Sequence, residues 1–584
     1  MYGSKNRIDL LPPERMSETP VNNSNQKKKK YTLSLLALIV AILVVNIAAF
    51  RFHKQADLTR DSRFTITPAT KALLANSPNY ISVTVLLEGE DLPAGYKSLQ
   101  AATEDVLRRF RDISGNRLDY HFVDPLGKDT ALENLIASYR MSGFPVKIAN
   151  GKKGMTEKLV FPWALVSAGG RSWPVLLQET SSPMINRHIL AQSEMLLEYN
   201  LASAIHKLNK PAPDSIAYLI GNGQPAGYEM FSAANLLGTN YKFEVIELGE
   251  QTAIPTKYKA VIINRPLQPF SETDKFKIDQ YLLQGGNIFL AVDGVNGSLD
   301  SFMTGPQFNA LPIDLNLNDM LFTYGARINH NLVSDAEKCE GVPMQATGGK
   351  GGTVHLPWVY YPILQTGSEH PIVKNMGEVL GKFVSSIDTV NQSEDITKTV
   401  LLTTSKYSRV EGAPMPVILA AAMTEPDRSQ YKHPHQIIAL MLEGKFTSLY
   451  AHRRPAEVSQ LIDSLGAQPV TKAAKPGKII MVGDGDILLN EVSEERGPME
   501  MGTYKFSLNR YDNKIFMLNC MEHLVDPDNL LSARTKNFST NILDPARVAA
   551  EQRMWQWVNI GGPVVLVVLA GAIFLFVRKR RYAA

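Results

Sequence analysis

Cysteine is nearly absent: 584 residues hold two, Cys339 and Cys520. With no Cys-x-x-Cys pair, thiol–disulfide exchange is excluded. An oxidising compartment permits a disulfide, but two cysteines so far apart read as separate buried small hydrophobes. The Walker A pattern is also missing. Lys350 in "GGKGGT" follows Gly349 but precedes another glycine, and position 344 is Met, so ATP hydrolysis by a P-loop is excluded. No Gly-x-Ser-x-Gly occurs, which removes the nucleophile elbow of an α/β-hydrolase.

Charge is absent from two further stretches. Residues 31–50, "YTLSLLALIVAILVVNIAAF", carry none, and Asn46 is their one strongly polar residue. Twenty apolar residues match a hydrocarbon core of about 30 Å at about 1.5 Å rise per residue. Lys27–Lys30 stand immediately before, so the positive-inside rule puts residues 1–30 in the cytoplasm. A cleaved signal peptide would have a shorter leader and a better cleavage site than "NIAAF". Residues 558–577, "VNIGGPVVLVVLAGAIFLFV", form the second uncharged span, closed by Arg578, Lys579, Arg580 and Arg581. Trp555 and Trp557 precede it, where amphipathic rings favour the interface, and Pro563 is tolerable in a first helical turn. Two spans with both ends inside place the intervening chain outside, giving a two-pass inner-membrane protein with a periplasmic body.

The charge balance agrees with this partition. Residues 1–30 hold seven basic and three acidic residues, and 578–581 hold four basic ones, so the tails carry +8 of the net +4 and the remainder carries −4. The basic pI is therefore a topology signal, and nucleic-acid binding, which needs a basic patch on the folded body, is not expected.

Between the spans, strand and helix patterns alternate. "YISVTVLLEG", "YKSLQAATEDVLRRFRDIS" and "LDYHFVDP" read as strand, helix and strand in a βαβ unit of thioredoxin-like character. A hairpin turning at Gly169-Gly170 follows, and then a long amphipathic helix to the linker "KPAPD". From Ile216, "SIAYLIG", "FEVIEL", "KAVIINRP" and "NIFLAVDG" read as successive strands. "SETDKFKIDQYLLQGG" supplies a helix with a capping box at Ser271-x-x-Asp274 and a Gly285-Gly286 stop. The pattern returns at "GKIIMVGDGDILLN" and "NKIFMLNCMEHLVD" after a long excursion that contains "TGGKGGT" and "LPWVYYPIL". A mostly parallel sheet buried on both faces is expected.

Four motifs tempt a chemical reading. "IAYLIGNGQPAG" with Glu247 some 20 residues on has the outline of a dinucleotide fingerprint. Pro225 removes one N–H from the turn, the topology places it away from cytoplasmic dinucleotides, and tight turns need glycine anyway. Asn222 and Gly223 therefore stand as ligand-loop candidates without a nucleotide. Asp484, Asp486 and Asn490 hint at calcium, but Leu488 occupies a ligand position and no Glu closes the loop. His433 and His435 lack the third protein ligand that zinc requires. Asp293, Asp484 and Asp486 fall at strand ends, where open α/β sheets gather ligands. No cofactor, metal or catalytic set is expected.

The chain resembles the gliding-motility-associated ABC transporter auxiliary proteins, GldG, of the Bacteroidota. "RFTITPATKALL", "EKLVFPWALV", "YLIGNGQP", "LPWVYYPIL", "EGKFTSLYAHR" and above all "LLSARTK" followed by "LDPARV" carry the resemblance over nearly the whole length. It implies a non-catalytic, periplasm-facing subunit working with a polytopic permease and a separate ATPase, associated with gliding motility and type IX secretion. The middle domain also resembles a non-enzymatic module of intraflagellar transport proteins, and its sheet resembles that of class I glutamine amidotransferases without their cysteine. The expected layout is a cytoplasmic tail 1–30, a transmembrane helix 31–50, a thioredoxin-like α/β domain 52–150 and a hairpin-helix connector 151–210. An amidotransferase-like α/β domain follows at 214–330, interrupted by an insertion 331–440 and resumed at 441–540. A pre-membrane helix 541–557, a transmembrane helix 558–577 and a tail 578–584 complete it. Gly561, Gly562, Gly571 and Ala572 offer small residues for docking the second span against the permease. The competing reading is a membrane-anchored extracytoplasmic hydrolase or carbohydrate-processing enzyme using Asp293, Asp484 and Asp486.

Overall fold

The protein is described by a computed structural model over residues 23–51, 65–89, 92–127, 130–149, 155–178, 187–345, 352–391, 394–466, 468–526, 530–535 and 545–582. Residues 1–22 and the glycine loop around Lys350 lie outside the described residues. Residues 1–64 form one unit, in which helix α1 (Asn23–Arg51) carries the apolar stretch Thr32–Asn46. Residues 65–584 form the other.

The first α/β portion opens with α2 (Pro68–Ala75), whose N-cap Thr67 accepts from Thr70 N–H. Its four-stranded sheet runs β2 (Leu118–Phe122), β1 (Ile81–Val85), β5 (Trp163–Ala168), β6 (Arg171–Leu176). The β1–β2 pair is parallel across helix α3 (Ala94–Ile113), and the other pairs are antiparallel. On α3, Tyr96, Leu99, Thr103, Leu107 and Phe110 recur at spacings of three and four and are all buried. The β5–β6 turn places Gly169 and Gly170 at φ +57° and +75°, as a two-residue hairpin requires. Helix α4 (Thr130–Ser138) and the hairpin β3 (Phe144–Ala149) and β4 (Met155–Val160) flank this sheet. Helix α5 (Arg187–Asn209) leads out.

The larger sheet has ten strands. Its parallel half runs β8 (Lys242–Glu247), β7 (Ser215–Ile220), β9 (Tyr258–Asn264), β10 (Asn287–Ala291) and then Gly477–Val482. In chain order this is 2-1-3-4-5, one of the doubly wound arrangements. Its other half is antiparallel: β11 (Cys339–Gln345), β12 (Thr353–Thr366), β13 (Ile396–Thr403) and β14 (Ile437–Gly444), which pairs with the Gly477–Val482 strand, β15. The long excursion thus contributes strands to the same sheet. One face is covered by α6 (Phe231–Asn240) and α8 (Asn513–Val525), the other by α7 (Glu272–Leu283). β9 and β15 are buried on both faces, which explains their unbroken apolar runs. The capping box appears as read: Ser271 Oγ accepts from Asp274 N–H at 3.1 Å. Both cysteines are unbridged, Cys520 wholly inside the core. The last helix, α9 (Pro545–Tyr582), contains the one segment among the described residues long and apolar enough to cross a membrane, Glu551–Arg580.

His523 on α8 meets His370 edge to face at 4.9 Å. Burial pulls them down to about 3 and about 4, with Lys478 adding to both. They are neutral in the folded chain and take up protons on unfolding below about pH 6.5, so their contribution is present at neutral pH and lost as pH falls. Asp293 and Glu522, pushed up by burial to about 7 and about 8, act in the opposite sense. Comparing variants isolates the histidine effect: His523→Leu should gain stability relative to the unaltered chain as pH drops from 7 to 5. The gain should reach up to about 2 kcal/mol, read from urea midpoints across that range.

Candidate functional site

The glycine turn after β7 is shaped by glycine and closed on itself. Gly221 and Gly223 have φ of +123° and +79°. Asn222 N–H donates to Gln224 Oε1 at 2.6 Å, and Gly227 N–H to Glu229 Oε1 at 3.1 Å. Pro225 offers a carbonyl, which accepts from Tyr218 O–H. Glu229 thus takes the Gly227 N–H that a phosphate would use, and Gln224 takes that of Asn222. The Asn222 carbonyl accepts from Leu267 and Gln268, and its side chain donates to Pro269 O. This joins the loops after β7 and β9 across the crevice between them, while Glu247 is exposed at the sheet edge. The crevice where doubly wound sheets hold ligands is therefore bridged by backbone.

The strand-end carboxylates converge one step further along the sheet. Arg265, directly after β9 and at φ +47°, donates from Nε to Asp293 at 3.2 Å and pairs through its terminal nitrogen with Asp486 at 3.0 Å. Gly485 permits this: a Cβ there would lie 2.6 Å from Arg265 Cγ, and its N–H donates to Asp293. Asp484 is fully buried and accepts from the N–H groups of Lys382 and Asp486. Lys382 in turn pairs with Glu491. Burial first and then Asp486 push Asp293 up to about 7, against Arg265; burial, Asp486 and Asp293 together push Asp484 well up. Asp486 and Asp293 outweigh burial and hold Arg265 charged.

Arg265 thus bridges two of the three carboxylates, Asp293 and Asp486, while Asp484 is held by backbone N–H groups. The neighbouring cavity holds about 20 Å³, room for little more than one water. Asn490 faces elsewhere and caps α6, accepting from Ser232 N–H. His433 and His435 are exposed, and His433 Nδ1 accepts from Val410 N–H. Among the described residues no group of three or more His, Cys, Asp or Glu could hold a metal ion. Gly561, Gly562 and Gly571 have nothing within 4 Å of an added Cβ, and Ala572 is exposed beside them.

One cavity was not anticipated. About 450 Å³ opens at the C-terminal end of α5, walled by β6, the start of β8's approach at Tyr241, α8 and the turn Leu530–Thr535. Lys207 donates to Asn240 at 2.8 Å, lies 3.6 Å from Glu522, and covers the Trp173 ring at 5.0 Å. Burial and then Lys210 pull Lys207 down to about 8. Burial pushes Glu522 up to about 8, with Asp526 adding and Arg534 opposing. His206 faces Asp526 at 4.0 Å. The lining comes from positions 139 to 531, so no local motif marked it.

Two family models match the chain. One, described as an ABC-type uncharacterized transport system, matches residues 213–520, more than half the chain; the other, a domain of unknown function (DUF7088), matches 60–167. No curated protein matches. Among solved structures the chain is similar to the mmIFT52 N-terminal domain, at 13% identity over 54% of this chain and 98% of that one, TM-score 0.29. It is also similar to a thua-like protein from Parabacteroides merdae ATCC 43184, at 9% identity over 54% and 90%, TM-score 0.25. A third is the exo-beta-1,4-mannosidase Op5Man5 from Opitutaceae bacterium strain TAV5, at 10% identity over 67% and 45%, TM-score 0.20. Scores this low add nothing to the functional reading.

Arg265 is the testable centre of the strand-end cluster. Arg265→Met leaves Asp293 and Asp486 unopposed and should destabilise the fold by about 3–5 kcal/mol. Arg265→Lys should recover less than half, because a single ammonium cannot span two carboxylates as a guanidinium fork does. Urea unfolding of the three proteins at pH 7.5 measures both.

Proposed function

The chain belongs to the family described as an ABC-type uncharacterized transport system, and from that premise we propose that it is a non-catalytic, membrane-anchored subunit of an ABC transporter complex. Its body faces the periplasm, both termini are cytoplasmic, and the inner membrane is crossed at 31–50 and 558–577. A polytopic permease and a separate ATPase are its partners, and the complex serves gliding motility and type IX secretion, as in the GldG proteins it resembles. The layout is a thioredoxin-like portion followed by an amidotransferase-like sheet, with no cofactor.

The observation that carries the reading is the family match together with α9, whose apolar segment ends in four basic residues. Energy for transport must arrive from another polypeptide, because the chain has no Walker A lysine. Two helices are too few to enclose a pathway, and their uncharged sequences suit packing against a larger membrane partner. The hydrolase reading needs Asp293, Asp484 and Asp486 to meet a substrate. Their engagement with Arg265 and backbone donors, beside a cavity of about 20 Å³, favours a structural role instead.

Two measurements test this. Reporter fusions at the N-terminus and after Arg581 should register cytoplasm, and one between Gly294 and Ser298 periplasm; an extracytoplasmic N-terminus would refute the topology. Gly571→Leu with Ala572→Leu should reduce permease and ATPase recovery in mild-detergent purification from native membranes, with the body's melting temperature unchanged.

A further inference from the structure

Strand β8 ends the parallel half of the ten-stranded sheet and pairs with β7 alone among the described residues. The pairing runs from Ser215↔Lys242 to Ile220↔Glu247 without a bulge. The outer row of N–H and C=O groups on β8 meets no backbone partner among the described residues. Natural sheets guard such an edge with proline, bulges or charge. β8 has no proline, and its charges Lys242 and Glu244 bond to each other at 2.8 Å, with Glu244 also holding Lys257.

Those charges guard one face only. Side chains alternate along a strand. Ile246 packs against the core beneath α7 and Phe243 against the core beneath α6, so Val245 and Glu247 share the α6 face with Phe243. Between this face and α6 lies an open groove of about 440 Å³, lined by Phe243 and Val245 of the strand and by Met230, Phe231 and Ala234. Val245 is 53% exposed, Phe231 56%, and Tyr228 at the rim 73%. An apolar groove beside a free strand edge suits an extended peptide: the edge supplies main-chain bonds and the groove takes alternate side chains.

Charge at one end sets the chemistry of the occupant. Glu229 sits at Gly227 on the groove wall, and Glu247 lies against Gly221 of the same turn. Neither enters an ion pair among the described residues. Two full charges there outweigh the half charge of the α6 N-terminus, so this end attracts a cation. A second copy of β8 supplies none. Strands paired about a two-fold axis oppose residues of the same face, and Lys242 lies on the face opposite to Glu247.

We propose that the groove between α6 and β8 binds an extended segment of another protein, added to β8 as a further strand. Its apolar side chains stand at alternate positions, and a lysine or arginine lies opposite Glu247. This docking surface is separate from the membrane spans.

The test uses the full-length chain in lipid nanodiscs, titrated by calorimetry with the acetylated and amidated peptide Lys-Thr-Val-Thr-Leu-Thr and with its reverse order. The two fit antiparallel and parallel addition. At least one should bind saturably below about 1 mM, the weak end of specific affinity. Val245→Arg, at an exposed position, should weaken that binding at least about tenfold, the scale of one apolar side chain, with the melting temperature unaltered. Glu247→Lys should weaken it about fivefold, the scale of an exposed ion pair, and turn the preference toward a peptide with Glu in place of Lys. A strand offers alternate amides to opposite edges. N-methylation of the Thr amides and N-methylation of the others should therefore differ, one abolishing binding and the other sparing it. Failure of both peptides to bind saturably would overturn the proposal. So would affinity indifferent to Val245→Arg or to Glu247→Lys, or equal loss from both methylation patterns, the mark of a helical occupant. A dimer of the unaltered chain that Val245→Arg dissociates would overturn it as well, because the groove would then hold a second copy.

Discussion

Helix α5 is buried by two hydrophobic cores at once. Leu197, Leu201, Ala204 and Ile205 belong to the core under the four-stranded sheet, while Tyr199 belongs to the core of the ten-stranded one. The turn Leu530–Thr535 repeats the arrangement: Leu530 enters the first core, Leu531 and Ala533 the second. Because interiors are close-packed, neither segment can shift in one core without disturbing the other. That double burial ties the four-stranded and the ten-stranded sheet together. It also gives a structural reason for the "LLSART" stretch, whose two leucines must point into different cores.

The same junction explains the cavity. α5 ends with Leu208 in the core under the four-stranded sheet, and there the wall must supply polar groups for the helix carbonyls. Arg171 from β6 meets two of them, and His206 and Lys207 sit where the helix dipole favours cations. Carboxylates from α8 and the linker balance those charges. The polar lining is therefore partly a consequence of ending a helix between two sheets.

The elements that were legible from sequence are those whose signals are local. Ser271 caps α7 because it stands three residues before Asp274, whose N–H donates to its Oγ, and Gly169-Gly170 turn the hairpin because φ is positive at both. Lone strands such as "KAVIINRP" read correctly because burial on both faces leaves an unbroken apolar run. The antiparallel half of the ten-stranded sheet was not visible, since pairing Ile396–Thr403 with Ile437–Gly444 depends on register across an excursion. Among site residues, the sequence put Asp293, Asp484 and Asp486 at strand ends but left open whether those ends lie side by side, which depends on strand order. Arg265 was missed: its residue type announced a charge, but only the sheet order shows that it stands between two acidic strand ends.

Arg265 also bears on what such a sheet can do. Open α/β sheets concentrate strand C-termini at one edge, so carboxylates gathered there repel one another unless something neutralises them. A guanidinium can do this by bonding two carboxylates through different nitrogens. Here Arg265 takes that place, Gly485 gives it room, and the loops after β7 and β9 bond to each other across the neighbouring crevice. The edge at which the fold ordinarily does chemistry is thereby used to fix its own loops. Among the described residues, open space of about 450 Å³ lies instead at the end of α5, and about 440 Å³ beside Gly227, between α6 and β8.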